Sequence, residues 1–182
     1  AERTSLALRK ELGLAPHDPL PGRLLAEHKK ITLLGVEDIP GLDHACIGHL
    51  LGEDVSDWSG FTLATNGRTF IVHNTSSPLQ RQESDIMHEI AHIICEHPPG
   101  ETLRIGPFWL RHYSPEEEEE AECMGGVLQV PKEGLMKFMW KDFAKEDIAI
   151  HFGCSVRMVT KRINLTGADK IVRRARRKQR YN

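Results

Sequence analysis

Two histidines four residues apart flank a glutamate in the segment His-Glu-Ile-Ala-His at residues 88–92. In an α-helix, side chains at positions i and i+4 lie one above the other on the same face, so both imidazoles can reach one metal ion. Zn²⁺ suits such a pair, because it takes neutral imidazole nitrogen at about 2.0–2.1 Å and imposes no geometry of its own. Glu89 follows the first histidine directly and is expected beside the ion, where it can accept a proton from a water molecule. The segment therefore predicts a hydrolytic zinc centre with His88 and His92 as ligands and Glu89 as the general base.

A hydrolytic zinc site needs a third protein ligand and an open coordination position. The glutamate run Glu116–Glu120 offers candidates for that ligand. At helical spacing, Glu118 shares a face with the small residues Ala121 and Gly125, whereas Glu120 lies on a neighbouring stripe. The first two glutamates of the run are expected in solvent, where they complement the helix dipole. A run of glutamates is usually a solvated face, so the residues by themselves leave the choice between Glu118 and Glu120 open.

Two helices must position these side chains, and both have a recognisable start. The sequence Ser-Pro-Leu-Gln at residues 77–80 predicts an N-cap serine, a proline in the first helical position and a capping box. Isoleucines then recur at helical spacing over Ile86–Ile94. Ser-Pro-Glu-Glu at residues 114–117 predicts a second capping box. In an alternative interpretation the two histidines and Glu89 are ordinary polar surface residues, but unpaired histidines are costly to bury in so apolar a helix.

A β-hairpin is predicted ahead of the first of these helices. Apolar residues alternate on either side of an Asn-Gly pair at residues 66–67, which favours a type I′ turn. With a two-residue loop, Leu63 faces Phe70 and Phe61 faces Val72, so one face of the ribbon is apolar. The ribbon must pack on another element, and an extended substrate could pair with its edge.

With these features the chain resembles the ImmA/IrrE metallopeptidases, small cytoplasmic zinc proteases that are typically paired with a repressor. Their pattern is a His-Glu-x-x-His helix after a strand ribbon, then a helix of approximate sequence Glu-x-x-Ala-x-x-Phe-Ala-x-x-Leu-Leu-Met-Pro, whose leading glutamate is the third zinc ligand. This chain has Glu-Glu-Glu-Ala-Glu-Cys-Met-Gly-Gly-Val-Leu-Gln-Val-Pro at residues 118–131. The resemblance covers roughly Phe61–Gly167 and implies that Glu118 is the third ligand.

Three departures from the family pattern fall in this second helix. Met124 and Gly125 stand where the family has Phe-Ala, Gly126 adds a second glycine, and Gln129 replaces an apolar residue. Each interior glycine costs about 1 kcal/mol relative to alanine. We therefore expect this helix to be locally loose.

The resemblance also implies an activity and a partner. The implied activity is that of a zinc-dependent endopeptidase with one Zn²⁺ per chain, bound by His88, His92 and Glu118, with Glu89 as catalytic base and no covalent intermediate. The implied partner is a protein substrate, a helix-turn-helix repressor of the XRE type. Its cleavage would relieve repression in a stress or mobile-element response.

Residues 145–165 have the pattern of a helix-turn-helix, with a turn at Gly153 and an N-cap at Ser155. Three basic residues of the second helix could reach DNA phosphates: Arg157, Lys161 and Arg162. The same shape is often only structural, and the resembling family contains such a segment as part of its fold. The alternative function is therefore a non-catalytic DNA- or repressor-binding regulatory module whose metal site is structural or vestigial.

The basic tail, residues 170–182, contains seven basic side chains and no acidic one. The rest of the chain has 17 basic and 26 acidic side chains, a net charge of −9. We interpret the tail as a solvated, frayed terminus, although it strengthens the case for DNA binding.

Four further side chains that could take part in chemistry lie near the motif or near the glutamate run in the sequence. His97 follows His92 by five residues, which turns it away from the metal-facing stripe, so we expect it at the surface. His112 and Tyr113 are candidates to contact a substrate oxyanion on their residue type alone. Cys123 is expected to be a small packed thiol rather than a ligand.

The composition is that of a globular protein, with 40% apolar and 27% charged residues, which excludes wholesale disorder. The sequence contains no apolar run long enough to span a membrane, and no secretory signal is expected. The four cysteines are isolated from one another, which fits buried thiols in a reducing compartment. We therefore predict a cytoplasmic protein without membrane contact.

The predicted fold is α+β and mainly helical, with a small antiparallel ribbon. The predicted parts are a metallopeptidase-like domain (1–140), a helix-turn-helix-like segment (141–169) and the basic tail (170–182).

Overall fold

The computed structural model describes residues 1–39, 41–51, 58–65, 67–97, 102–105, 108–111 and 113–179. Only the backbone is described over 102–105 and 108–111 and at residues 45, 46, 49, 50 and 65. Nine α-helices lie within these ranges: α1 (Glu2–Glu11), α2 (Gly22–His28), α3 (His44–Leu51), α4 (Leu79–Ile94), α5 (Pro115–Gln129), α6 (Lys132–Trp140), α7 (Lys145–Phe152), α8 (Val156–Thr166) and α9 (Ala168–Gln179). Five strands are described: β1 (Thr32–Gly35), β2 (Gly60–Thr65), β3 (Arg68–His73), β4 (Thr102–Ile105) and β5 (Phe108–Arg111). The predicted α+β, mainly helical fold is confirmed.

The chain divides into two compact units. One unit is residues 21–125 and contains the sheet and α4. The other unit joins residues 1–20 to residues 126–182 and is helical. No helix in the described part of the chain combines the length and the apolar character needed to cross a bilayer.

The strands form one mixed sheet in the order β1-β3-β2-β5-β4, in which only β1 and β3 run parallel. The predicted hairpin is confirmed with its register, since Leu63 lies opposite Phe70 and Phe61 lies opposite Val72. Gly67 has a φ of +71°, which suits the turn, and Asn66 lies outside the described residues. Both hairpin strands have a further strand on their outer side. The expectation that a substrate pairs with the edge of this hairpin is therefore wrong, because the edges of the described sheet are β1 and β4.

Helix α4 packs on β2 and β3, and its buried residues include Ile86 and Ile90 together with the polar side chains of Gln82, Glu89 and His92. Its predicted start is wrong by one residue. Pro78 is the N-cap, with an extended ψ of 146°, and no side chain caps the helix. Ser77 therefore lies one residue too early to cap the helix.

The apolar pattern of residues 24–34 predicts one helix, but the chain forms a shorter helix followed by a strand. Helix α2 ends at His28, Lys30 has a φ of +56°, and the strand β1 follows. A positive φ at a non-glycine residue ends a right-handed helix. Residues 32–35 then pair with β3, a contact that local periodicity does not reveal.

Helix α5 begins with the predicted capping box. The Ser114 hydroxyl accepts a bond from the Glu117 backbone N–H at 3.2 Å, and the Glu117 carboxylate accepts one from the Ser114 N–H at 2.7 Å. The helix continues through Gly125 without a break. A Cβ at Gly125 would lie 3.6 Å from the Cα of His88, an ordinary van der Waals distance. The glycine therefore lies directly against the backbone of α4.

In the helical unit, α7 and α8 are joined by the predicted turn. Gly153 has a φ of +65° and the Ser155 hydroxyl accepts a bond from the Met158 N–H at 3.1 Å. The basic terminus differs from its prediction, because residues 168–179 form α9 with Val172 buried. Residues 180–182 lie outside the described residues.

Candidate metal centre

Three potential ligands from two helices converge on one point. The Nε2 atom of His88 lies 3.1 Å from His92 Nε2 and 3.1 Å from Glu118 Oε2, and His92 Nε2 lies 3.6 Å from Glu118 Oε1. A tetrahedral ion with ligands at about 2.0–2.1 Å separates pairs of ligand atoms by about 3.3–3.4 Å. The observed spacings bracket that value. Two imidazole nitrogens and one carboxylate oxygen thus fit a zinc ion in both donor type and spacing.

The centre is closed on one side and open on the other. The side chain of His92 is fully buried, whereas that of His88 is 29% exposed and that of Glu118 is 49% exposed. Burial, together with His88 and His97, lowers the pKa of His92 to about 3. The ring is therefore neutral at neutral pH, which is the form that binds a metal. The exposed side leaves room for a fourth ligand.

Glu89 is buried beside the centre, with 6% of its surface exposed. Burial raises the pKa of its carboxyl group, an effect that the hydrogen bond from Thr62 opposes. The Thr62 hydroxyl on β2 donates that bond to Glu89 Oε2 at 2.6 Å. Sequence reasoning missed Thr62, although the alternation of β2 places it on the sheet face opposite Phe61 and Leu63. The carboxylate is thus oriented by the sheet as well as by its own helix.

Glu120 contacts His97 and lies outside the group formed by His88, His92 and Glu118. His97 Nε2 lies 3.3 Å from Glu120 Oε2, and His97 Nδ1 lies 2.9 Å from His92 Nδ1. The prediction of His97 at the surface is wrong, because its side chain is buried. The cause is Glu96, whose φ of +55° reverses the chain after α4 and returns His97 toward His92.

Tyr113 covers the other face of His92. The two rings stack with centroids 3.6 Å apart and planes 16° from parallel. The side chain of Tyr113 is buried in this contact, and its predicted role toward a substrate oxyanion stays a prediction. His112 lies outside the described residues.

The cysteines depart in part from the expectation of buried thiols. Cys154 is buried, Cys95 is half-buried and Cys123 is exposed, so the packed position expected for Cys123 is wrong. Cys95 lies near His97 and Glu120, with the ligand-type atoms of all three within 4.8 Å of one another. The side chain of Cys46 is outside the described set.

The three residues predicted to contact DNA differ in their exposure to solvent. Arg157 is exposed and Lys161 is half-buried. Arg162 is buried, donates from Nε to the Val130 carbonyl at 2.8 Å and forms an ion pair with Glu2. Arg162 lies on the inner face of α8 and is unable to reach a phosphate, which corrects the prediction for this residue.

Two arginines of the basic tail form ion pairs with aspartates of the helical unit. Arg176 pairs with Asp142 and donates to the Trp140 carbonyl at 3.0 Å, and Arg173 pairs with Asp169 at 2.9 Å. These contacts reduce the charge that the tail can present to another molecule.

The family model described as IrrE N-terminal-like domain, of the Peptidase M78 group, matches residues 51–164 of the chain. The matched range contains every residue of the metal centre described above. No curated protein and no solved structure matches the chain significantly.

Proposed function

Because the chain belongs to the IrrE N-terminal-like family of M78 metallopeptidases, we propose that it is a zinc-dependent endopeptidase. The observation that carries the proposal is the convergence of His88, His92 and Glu118 at tetrahedral spacing, with Glu89 buried beside them. A structural zinc site is usually closed by four protein ligands, whereas a catalytic site keeps a position open. Three ligands with one solvent-exposed side therefore favour catalysis.

The donor set also favours zinc among the common divalent ions. His88 and His92 would supply imidazole nitrogen and Glu118 carboxylate oxygen, whereas Mg²⁺ and Ca²⁺ prefer oxygen alone. When bound, zinc supplies a Lewis acid that polarises the scissile carbonyl and makes water acidic enough to attack near neutral pH. The exposed edge between His88 and Glu118 is where the peptide would approach.

In this mechanism Glu89 moves the proton. Its carboxylate accepts a proton from the attacking water and then delivers it to the nitrogen of the leaving amine. Thr62 holds the carboxylate through Oε2, which fixes its orientation. The attacking group is water rather than a side chain, so no covalent intermediate forms on the protein.

We propose that the substrate is a helix-turn-helix repressor of the XRE type, whose cleavage relieves repression in a stress or mobile-element response. The support is the resemblance to the ImmA/IrrE pattern at residues 88–92 and 118–131. An extended segment of the repressor could add to an edge strand, for which the described sheet offers β1 and β4.

The test is incubation of the purified protein with a candidate XRE-type repressor, beginning with any that is encoded next to its gene. We expect about one Zn²⁺ per chain by elemental analysis, and repressor fragments that disappear with a chelator and return when Zn²⁺ is restored. Protein that binds no zinc, even on addition, would contradict the enzymatic proposal. Salt-sensitive DNA binding without proteolysis would favour the non-catalytic module instead.

A further inference from the structure

We propose that His97 and Glu120 are positioning residues that hold His92 in the tautomer able to bind zinc through Nε2. The proposal rests on the proposed function, because it takes His92 as a zinc ligand. Neither residue touches the metal position. They act on the ligand from its opposite nitrogen.

The three side chains form a continuous chain of contacts leading away from the centre. His92 Nε2 faces His88 at 3.1 Å, and His92 Nδ1 faces His97 Nδ1 at 2.9 Å. The far nitrogen of His97, Nε2, faces Glu120 Oε2 at 3.3 Å. Both histidines are buried, and Tyr113 stacks on His92 so that the ring keeps its orientation.

The carboxylate decides the direction of the hydrogen bonds in this chain. Between two neutral imidazoles that meet at their Nδ1 atoms, one ring must donate and the other accept. If His92 donates, His97 carries its proton on Nε2 and donates it to Glu120. If His97 donates, its Nε2 lone pair faces the carboxylate and the two repel. The first arrangement is therefore favoured, and it leaves the Nε2 lone pair of His92 directed at the zinc position.

Metal-binding histidines usually donate their second N–H to a carboxylate or a carbonyl, and such partners typically contribute 10–100-fold to metal affinity. Here His97 stands between the ligand and the carboxylate. Glu120 thus acts on His92 through the intervening ring of His97 rather than by a direct hydrogen bond.

The same logic separates this proposal from a second metal site. Cys95, His97 and Glu120 also bring ligand-type atoms within 4.8 Å of one another. A metal on His97 Nε2 would move the proton of His97 to Nδ1, which would then donate to His92. His92 would carry its own proton on Nε2 and could no longer bind zinc. The geometry is therefore compatible with one zinc ion per chain, bound at the first centre.

The test compares zinc affinity in the parent protein and in Glu120→Gln, measured by competition with a chromophoric chelator. Unlike the carboxylate, the amide of the variant can donate to His97 Nε2 as well as accept from it, so the variant loses the preference for the His92 tautomer that binds zinc. We expect zinc binding to weaken by about 10–100-fold. Glu119→Gln is the matched control, because it removes the same charge from a neighbouring exposed position of α5, and we expect its affinity to stay within about twofold of the parent, as for a solvated charge.

A second measurement reads the tautomer directly. In zinc-free protein, ¹⁵N–¹H correlation spectra of the histidine rings should show the proton of His92 on Nδ1 in the parent and a shift toward Nε2 in Glu120→Gln. A merely structural role for Glu120 would leave this signature unchanged.

Unchanged zinc affinity and an unchanged His92 tautomer in Glu120→Gln would overturn the proposal. Two zinc ions per chain, one of them lost in Cys95→Ser, would also overturn it and identify the second metal site instead. If the parent binds no zinc, the proposed function fails, and the spectra of the zinc-free protein still decide whether Glu120 sets the tautomer.

Discussion

The substitution Glu89→Gln separates catalysis from binding at this centre. The side chain is buried and accepts a hydrogen bond from Thr62 at 2.6 Å. Glutamine keeps the size of glutamate and an oxygen that can accept the same bond, but it has no basic carboxylate. Zinc binding should be unaffected, because Glu89 is not one of the three converging ligands. Repressor binding should also persist.

The expected loss is at least about 10²-fold in the cleavage rate, the lower range for a positioned acid–base group. That factor corresponds to about 2.7 kcal/mol of transition-state stabilisation. The assay follows repressor cleavage by gel under single-turnover conditions, with zinc content measured on the same preparation. Glu119→Gln on α5 serves as control for the loss of one negative charge and should cleave at the parental rate.

We also expect Glu89→Gln to increase the free energy of unfolding of the zinc-free protein. Burial raises the pKa of Glu89 above its unfolded value. The carboxyl group binds its proton more tightly in the folded than in the unfolded protein. The free energy of unfolding therefore falls as the pH rises from the unfolded pKa to the folded pKa. Above that window the buried charge of the parent is unfavourable and glutamine carries none. The urea midpoint of Glu89→Gln should therefore exceed that of the parent at pH 7, and the difference should shrink below pH about 4, where the unfolded carboxylate is protonated.

Parental cleavage by zinc-loaded Glu89→Gln would refute this reasoning and remove Glu89 from the mechanism. Loss of cleavage accompanied by loss of zinc would instead mean that the side chain supports the metal rather than the proton transfer. Only retained zinc, a retained fold and lost cleavage agree with a general base.

The remaining predictions concern the ligand, its support and the helix. Glu118→Ala should weaken zinc binding by more than the 10–100-fold typical of a group that only supports a ligand, and Glu116→Ala should leave zinc affinity, measured by chelator competition, unchanged. A larger loss of zinc affinity in Glu120→Ala than in Glu118→Ala would identify Glu120 as the ligand. Thr62→Val should retain zinc and lower the cleavage rate by about 10–150-fold, because hydrogen bonds to charged groups contribute about 1.5–3 kcal/mol. A parental rate would show that Thr62 does not orient Glu89. Gly125→Ala should raise the free energy of unfolding in urea by about 0.5–1 kcal/mol, since a Cβ fits at 3.6 Å from His88; destabilisation would mean that α5 and α4 need the closer approach.

The parts of this fold that the sequence predicts correctly all depend on local rules. The i, i+4 spacing brings His88 and His92 to one face, the Asn-Gly pair sets the register of Leu63 against Phe70, and Ser114 begins its helix with the reciprocal bonds of a capping box. Each of these rules acts within a few residues of the chain. Backbone geometry alone therefore decides which residues of the helix, the hairpin and the capping box meet.

The errors arise where a residue depends on a distant partner. Residues 32–35 continue the polar and apolar pattern of α2, yet they pair with β3 some 38 residues later and become β1. Arg162 is one of the basic residues predicted to face DNA, yet it is buried and bound by the Val130 carbonyl and the Glu2 carboxylate. No periodicity in the sequence marks either partner.

His97 shows most clearly why the support of a site is harder to predict than its ligands. Extrapolated along α4, it falls on a different stripe from His92, and the helical rule sends it to the surface. The helix ends at Ile94, and the positive φ of Glu96 turns the chain so that the two rings meet at 2.9 Å. Glutamate rarely adopts that conformation, because its Cβ then crowds the following carbonyl. The contact between His92 and His97 thus depends on a reversal that the sequence disfavours locally and that is maintained by packing. A ligand that needs a defined tautomer gains from such a contact, which gives a physical reason for a strained turn immediately after the metal-site helix.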